Sequence, residues 1–143
     1  MKVYVDTSAW ISLVAEREPH HAAVAEAWGT LLSRGVVPVT SSDVVSETIT
    51  RLRYHAGHAV ALRFYELLSE AVQKERLVLR WVDAALFEQA WRIFREYRDQ
   101  EFSMVDCTSF ALCRRERITQ ALTLDHHFRV AGLEVIPAMA ARE

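Results

Sequence analysis

Five short apolar runs, separated by longer segments with helical periodicity, constrain this chain more than any other feature. They cover Lys2–Val5 and residues 36–40, 77–82, 118–122 and 133–136. Runs this short, with little polar alternation, suit strands covered on both faces of a parallel sheet. Residues 10–15 read as a helical turn or two. After Pro19, the spacing of Val24, Ala27, Trp28, Leu31 and Leu32 predicts an amphipathic helix that Gly35 is placed to end. Pro38 sets the second strand beside an edge, or where a missing donor is tolerated. From Asp43 a stripe runs through Val44, Val45, Thr48, Ile49 and Leu52, and a further helical stripe covers residues 58–74. Asp83 is an N-cap candidate for a helix carrying Leu86, Ala90, Trp91, Ile93, Phe94 and Tyr97. Ser103 opens a helix to about Arg115, and residues 125–130 form a short one. Strand–helix alternation to the end predicts a three-layer α/β/α sandwich around a mostly parallel sheet of five strands, its right-handed crossovers placing helices on both faces.

The 143 residues, 51% apolar and 25% charged, are enough for one domain, 1–143, with a proper core. The N-terminus meets Asp6 before any apolar leader could form, and no apolar run approaches the roughly 20 residues of a membrane span. A soluble, cytoplasmic protein with no membrane association is expected. Cys107 and Cys113 fall on one helix, about 9 Å of rise apart and roughly a third of a turn round, which is too far for a disulfide. They read as core thiols in a reducing compartment. The net charge of −2 gives no support for bulk electrostatic binding of nucleic acid, so any phosphate partner must be held locally.

Acids stand at telling places on this framework. Asp6, in the stretch VYVDTSAW, closes the first strand, and Asp125 follows the fourth in the same way. In open α/β sheets ligands gather outside the carboxyl ends of the strands. At 100° per residue Glu47 lies about 130° from the centre of its helix's apolar stripe, and Asp106 about 140° from its own, so neither is forced into the core. Each acid also has an ordinary use. Asp6 and Asp125 could cap helices, Ser103 and Asp106 fit the S-x-x-D capping pattern, and Glu47 has Arg51 four residues on for a surface ion pair. Together, acids gathered at one end of a sheet repel one another unless a cation joins them, and a hard divalent ion is the cation that takes such oxygen donors.

The residues carry a resemblance. VYVDTSAW, SSDVVSETITRL and SMVDCTSFALCRRERITQALTLDHHFRVAG resemble the acid-bearing segments of PIN-domain ribonucleases, specifically the VapC-type toxins of bacterial and archaeal toxin–antitoxin pairs. The last block is the most specific, joining S-x-x-D, an apolar helix, a strand and T-x-D-x-H-F. The resemblance spans essentially the whole chain. It implies a PIN-like sheet in the order 3-2-1-4-5, which would make strands one and four neighbours and bring Asp6 and Asp125 together.

It further implies a metal-dependent endoribonuclease in which Asp6, Asp106 and Asp125 hold Mg²⁺ (or Mn²⁺) and Glu47 completes the acidic set, orienting or deprotonating a water. Thr7, Ser8 and Ser103 are candidates for orienting the carboxylates. The implied partners are an RNA substrate, a cognate antitoxin bringing a basic side chain to the acids, and a second copy in a homodimer. Arg51, Arg53, Arg114 and Arg115 are the candidate phosphate contacts. The main alternative is a non-catalytic RNA- or protein-binding module on the same fold. An aspartyl phosphatase would need an acid at position 8, which is serine, and a receiver domain would need a late lysine, whereas the last lysine is Lys74. A zinc site built on the pairs His20/His21 and His55/His58 lacks a third ligand. His126 and His127 are expected in the D-x-H-F turn, with Phe128 anchoring it in the core.

Overall fold

The computed structural model describes residues 1–138. Its elements follow in the order β1 (Lys2–Val5), α1 (Thr7–Val14), α2 (His21–Ser33), β2 (Val37–Ser41), α3 (Ser42–Ala56), α4 (His58–Gln73), β3 (Val78–Arg80), α5 (Ala84–Glu96), α6 (Met104–Glu116), β4 (Gln120–Leu122), α7 (His127–Val130) and β5 (Glu134–Ile136). All five strands are parallel, in the order β3-β2-β1-β4-β5. Right-handed crossovers put α1–α4, whose connections run from β1 towards β3, on one face, and α5–α7, whose connections lead back to β4 and β5, on the other.

β1 is central. Val3, Tyr4 and Val5 are buried, and the Tyr4 hydroxyl lies 2.7 Å from the Ser109 hydroxyl and 3.1 Å from that of Ser41, tying β1 to α6 and β2. Trp10 fastens α1 to the opposite face: its indole N–H donates to Thr40 Oγ1 (3.2 Å), and its ring packs edge-on against Trp28 and Phe64. Pro38 pairs with Val3 in β2, next to the edge strand β3. Because the Val37 N–H donates to Met1 on the β1 side, the Pro38 nitrogen points towards β3, whose pairing begins only at Val39. The missing donor is therefore tolerated, as the sequence suggested.

Two expectations need correction. Helix α1 starts directly after Asp6, three residues earlier than its apolar pattern indicated, because Thr7 and Ser8 are helical. Asp106 is not held out of the interior: α6 is buried on every side from Asp106 to Cys113, between the sheet and α5, so its apolar stripe does not mark a solvent face. Among the described residues no helix is long and apolar enough to cross a membrane.

Candidate active site

Asp6 directly follows β1 and is the N-cap residue of α1, yet its carboxylate makes no capping hydrogen bond. It is committed sideways instead. Thr123, just past β4, donates its hydroxyl to Asp6 Oδ2 at 2.9 Å, and the Ser8 hydroxyl approaches the same oxygen at 3.4 Å. The β1–β4 pairing makes this possible, since the Asp6 N–H donates to the Leu122 carbonyl and so sets Asp6 beside Thr123. With 5% of its surface exposed, Asp6 is pushed by burial from 3.8 to about 7; the Thr7 backbone N–H and the Thr123 hydroxyl oppose the shift, and Asp106 and Asp125 add to it.

Asp125 is reached through the same threonine, whose oxygen accepts the Asp125 N–H (3.0 Å), while Asp125 Oδ1 accepts the His127 N–H (2.9 Å). Asp106 serves the capping box that its sequence announced: Ser103 N–H donates to Asp106 Oδ2 and Asp106 N–H to Ser103 Oγ, both at 3.0 Å. Its other oxygen is not used by the box. Burial raises Asp106 above the usual carboxylate range, partly opposed by the Ser103 hydrogen bond and reinforced by Asp125.

Glu47 lies on α3. Among the described residues it forms no ion pair with Arg51 and instead accepts the Thr7 hydroxyl at 2.6 Å. α3 is held against α6 by the Thr108 hydroxyl, which donates to Asp43 at 2.9 Å. The result is one cleft of about 330 Å³ lined by Asp6, Glu47, Asp106 and Asp125, together with Thr7, Ser8, Arg51, Ser103, Leu124 and His127. A larger groove of about 670 Å³, between α2 and α4, is apolar and lies by the starts of β2 and β3, at the opposite end of the sheet from the acids.

All four predicted acids thus meet, with Thr7, Ser8 and Ser103 among them. Of the four candidate arginines, Arg51 lines the cleft and Arg53, Arg114 and Arg115 do not. Arg114 and Arg115 stand in the last turn of α6, about 12 Å of helix rise from Asp106, and are excluded from it. Two residues of the T-x-D-x-H-F motif take places at the site that the sequence does not assign them. Thr123 was the threonine of T-x-D, whose role appears only when β1 and β4 pair. His127 turns its Nδ1 to within 3.4 Å of both Asp106 Oδ2 and Asp125 Oδ1, buried and without a well-directed hydrogen bond, its ring edge-on to Phe102. Phe128 behaves as expected, fully buried between Tyr4 and Phe110. Asp125, His126 and His127 bring possible ligand atoms within 4.8 Å of one another.

An acid-lined cleft at the carboxyl edge of a 3-2-1-4-5 parallel sheet defines a class, and residues 3–133 match the model of the PIN domain: the chain belongs to the PIN-domain family. It is 36% identical to the 23S rRNA-specific endonuclease VapC20 of Mycobacterium tuberculosis over 137 residues, covering 94% of this chain and 98% of the relative. It is 34% identical to the Ribonuclease VapC26 of the same organism over 129 residues, 87% of each. The crystal structure of VapC20, described as a sarcin–ricin loop cleaving toxin, superposes with a TM-score of 0.81 at 32% identity, covering 92% of this chain and 95% of that one. A chain of VapBC2 from Rickettsia felis shares the fold at 11% identity, with a TM-score of 0.68 over 94% and 97% of the two chains.

Proposed function

We propose that this protein is a divalent-metal-dependent endoribonuclease, the toxin of a toxin–antitoxin pair, and that it cuts RNA phosphodiester bonds at the cleft of Asp6, Glu47, Asp106 and Asp125. The observation that carries the reading is the convergence of four carboxylates, two of them buried, with Arg51 the one lysine or arginine lining the cleft among the described residues. Such a set is costly without a cation, and its oxygen donors fit Mg²⁺ or Mn²⁺. The unsatisfied His127 Nδ1 between two of the acids is a further sign that the constellation is incomplete on its own. Asp6, Asp106 and Asp125 are the residues that would hold the ion, with Glu47 completing the set. When bound, it supplies charge neutralisation at the phosphate and lowers the pKa of a water.

The chain's own groups do the rest. Thr123 and Ser8 fix the Asp6 carboxylate, the Ser103 capping box fixes Asp106, and Thr7 fixes Glu47, whose position at the cleft wall suits it to orient the attacking water and take its proton. Arg51 offers a guanidinium to the substrate phosphates.

RNA as substrate rests on the 34–36% identity to relatives named endonuclease and ribonuclease. A cognate antitoxin presenting a basic side chain to the acids is the partner this reading requires. A homodimer is supported by the open stripe of Phe87, Trp91 and Phe94 on α5. The test is cleavage of a panel of structured cellular RNAs with Mg²⁺ or Mn²⁺, with EDTA, and by Asp106→Asn and Asp125→Asn. Metal-dependent cutting that both variants lose is expected. Cutting that persists in EDTA, or in both folded variants, overturns the assignment, and failure to cut any RNA leaves a binding module on the same fold.

A further inference from the structure

The acidic cleft continues into a second depression of about 140 Å³. Ser8, Arg51 and Leu124 line both, so the two depressions adjoin. Three of its residues are apolar: Ile11 on α1, Pro19 in the α1–α2 connection and Leu124 after β4. Ser8, Ser12, Glu18, His20 and Arg51 complete its lining. Among the described residues the exposed Glu18 carboxylate has no hydrogen-bond donor and no ion-pair partner, and Arg51 has no ion pair either.

We propose that this depression is a subsite for a single unpaired nucleobase flanking the scissile phosphate, and that Glu18 makes it select guanine. The proposal rests on the ribonuclease reading above. The volume of about 140 Å³ is that of one planar ring system. Apolar walls take the faces of a base, as single-stranded RNA recognition requires, with the base splayed from its neighbours. A carboxylate can only accept hydrogen bonds. Guanine alone among the four bases presents two adjacent donor groups, N1–H and the 2-amino group, on its Watson–Crick edge. Adenine, cytosine and uracil each set an acceptor next to their donor, which a carboxylate repels. Arg51 takes the phosphate between the two sites, which keeps the Glu18 charge from repelling the backbone.

The experiment uses the full chain and short single-stranded RNAs that differ only in the base beside one cleavable bond: guanosine, inosine (which lacks the 2-amino group) or adenosine. Binding is read by fluorescence anisotropy in EDTA, and cleavage as kcat and KM with Mn²⁺. Wild type should favour guanosine over inosine about tenfold, in KM and binding rather than in kcat. Glu18→Gln, an exposed isosteric change, should reduce that preference to within about twofold. Preference unchanged in Glu18→Gln, or absent in wild type that cuts RNA, overturns the subsite and leaves the nuclease assignment standing. Guanine-selective binding without any metal-dependent cutting does the reverse, and no binding to any of the RNAs overturns both.

Discussion

Replacing Asp6 by Asn should stabilise the metal-free protein at neutral pH, even though it removes a residue central to the site. Asp6 is buried and its carboxyl is raised from 3.8 to about 7. Below about pH 4 the folded and unfolded chains both hold the proton. Between there and pH 7 the folded chain holds a proton that the unfolded one has released, so stability falls as pH rises. At 1.36 kcal/mol per pH unit, the rise from 3.8 to about 7 is worth about 4 kcal/mol against the folded state at pH 8. Asparagine is neutral, nearly isosteric, and still offers an oxygen to the Thr123 hydroxyl. Allowing for relaxation around the charge, Asp6→Asn should exceed wild type by about 2–4 kcal/mol at pH 8 in EDTA, with the gap closing towards pH 4. The assay is urea unfolding followed by tryptophan fluorescence, in which Trp10, buried against the partly buried Trp28, reports on the core. Saturating Mn²⁺ should stabilise only wild type, by about 2.7 kcal/mol at a hundred times Kd. A variant no more stable than wild type at pH 8, or a gap that does not change with pH, refutes the reasoning.

Other expectations follow from single contacts. Thr7→Val removes the donor that holds Glu47 and should lower metal affinity, read by calorimetry, about 10- to 100-fold with circular dichroism unchanged. Phe128→Ala empties a fully buried position against Tyr4 and Phe110 and should cost about 3–5 kcal/mol in urea unfolding. Arg51→Glu should slow RNA cleavage about tenfold or more, while Arg114→Glu, far along α6, leaves the rate within about twofold; equal effects would place the substrate elsewhere.

Exposed apolar surface divides in a similar way. On α5 the stripe Leu86, Ala90 and Ile93 is buried, while Phe87, Trp91 and Phe94 stay about half exposed, with Trp91 and Phe94 stacked on each other. Periodicity marked both sets as apolar but could not say which one meets the core, because α5 carries apolar residues on more than one face.

The sequence by itself determined what depends on neighbours within a few residues. The order of strands and helices came from periodicity, and the placement of Asp6 and Asp125 past strand ends followed from it. The Ser103–Asp106 capping box came from a four-residue pattern that forms as written. Tertiary structure alone decided which competing use each acid serves. Glu47 had Arg51 one turn away but accepts from Thr7, forty positions earlier in the chain, because α3 packs against α1. Asp106 is buried because α6 is covered on all sides, which no stripe on a single helix can reveal. Thr123 joins Asp6 to Asp125 only through the pairing of β1 with β4, across more than a hundred residues. Local pattern fixes caps and periods, whereas strand order and the partners of a buried carboxylate are long-range choices made when the chain encloses its core.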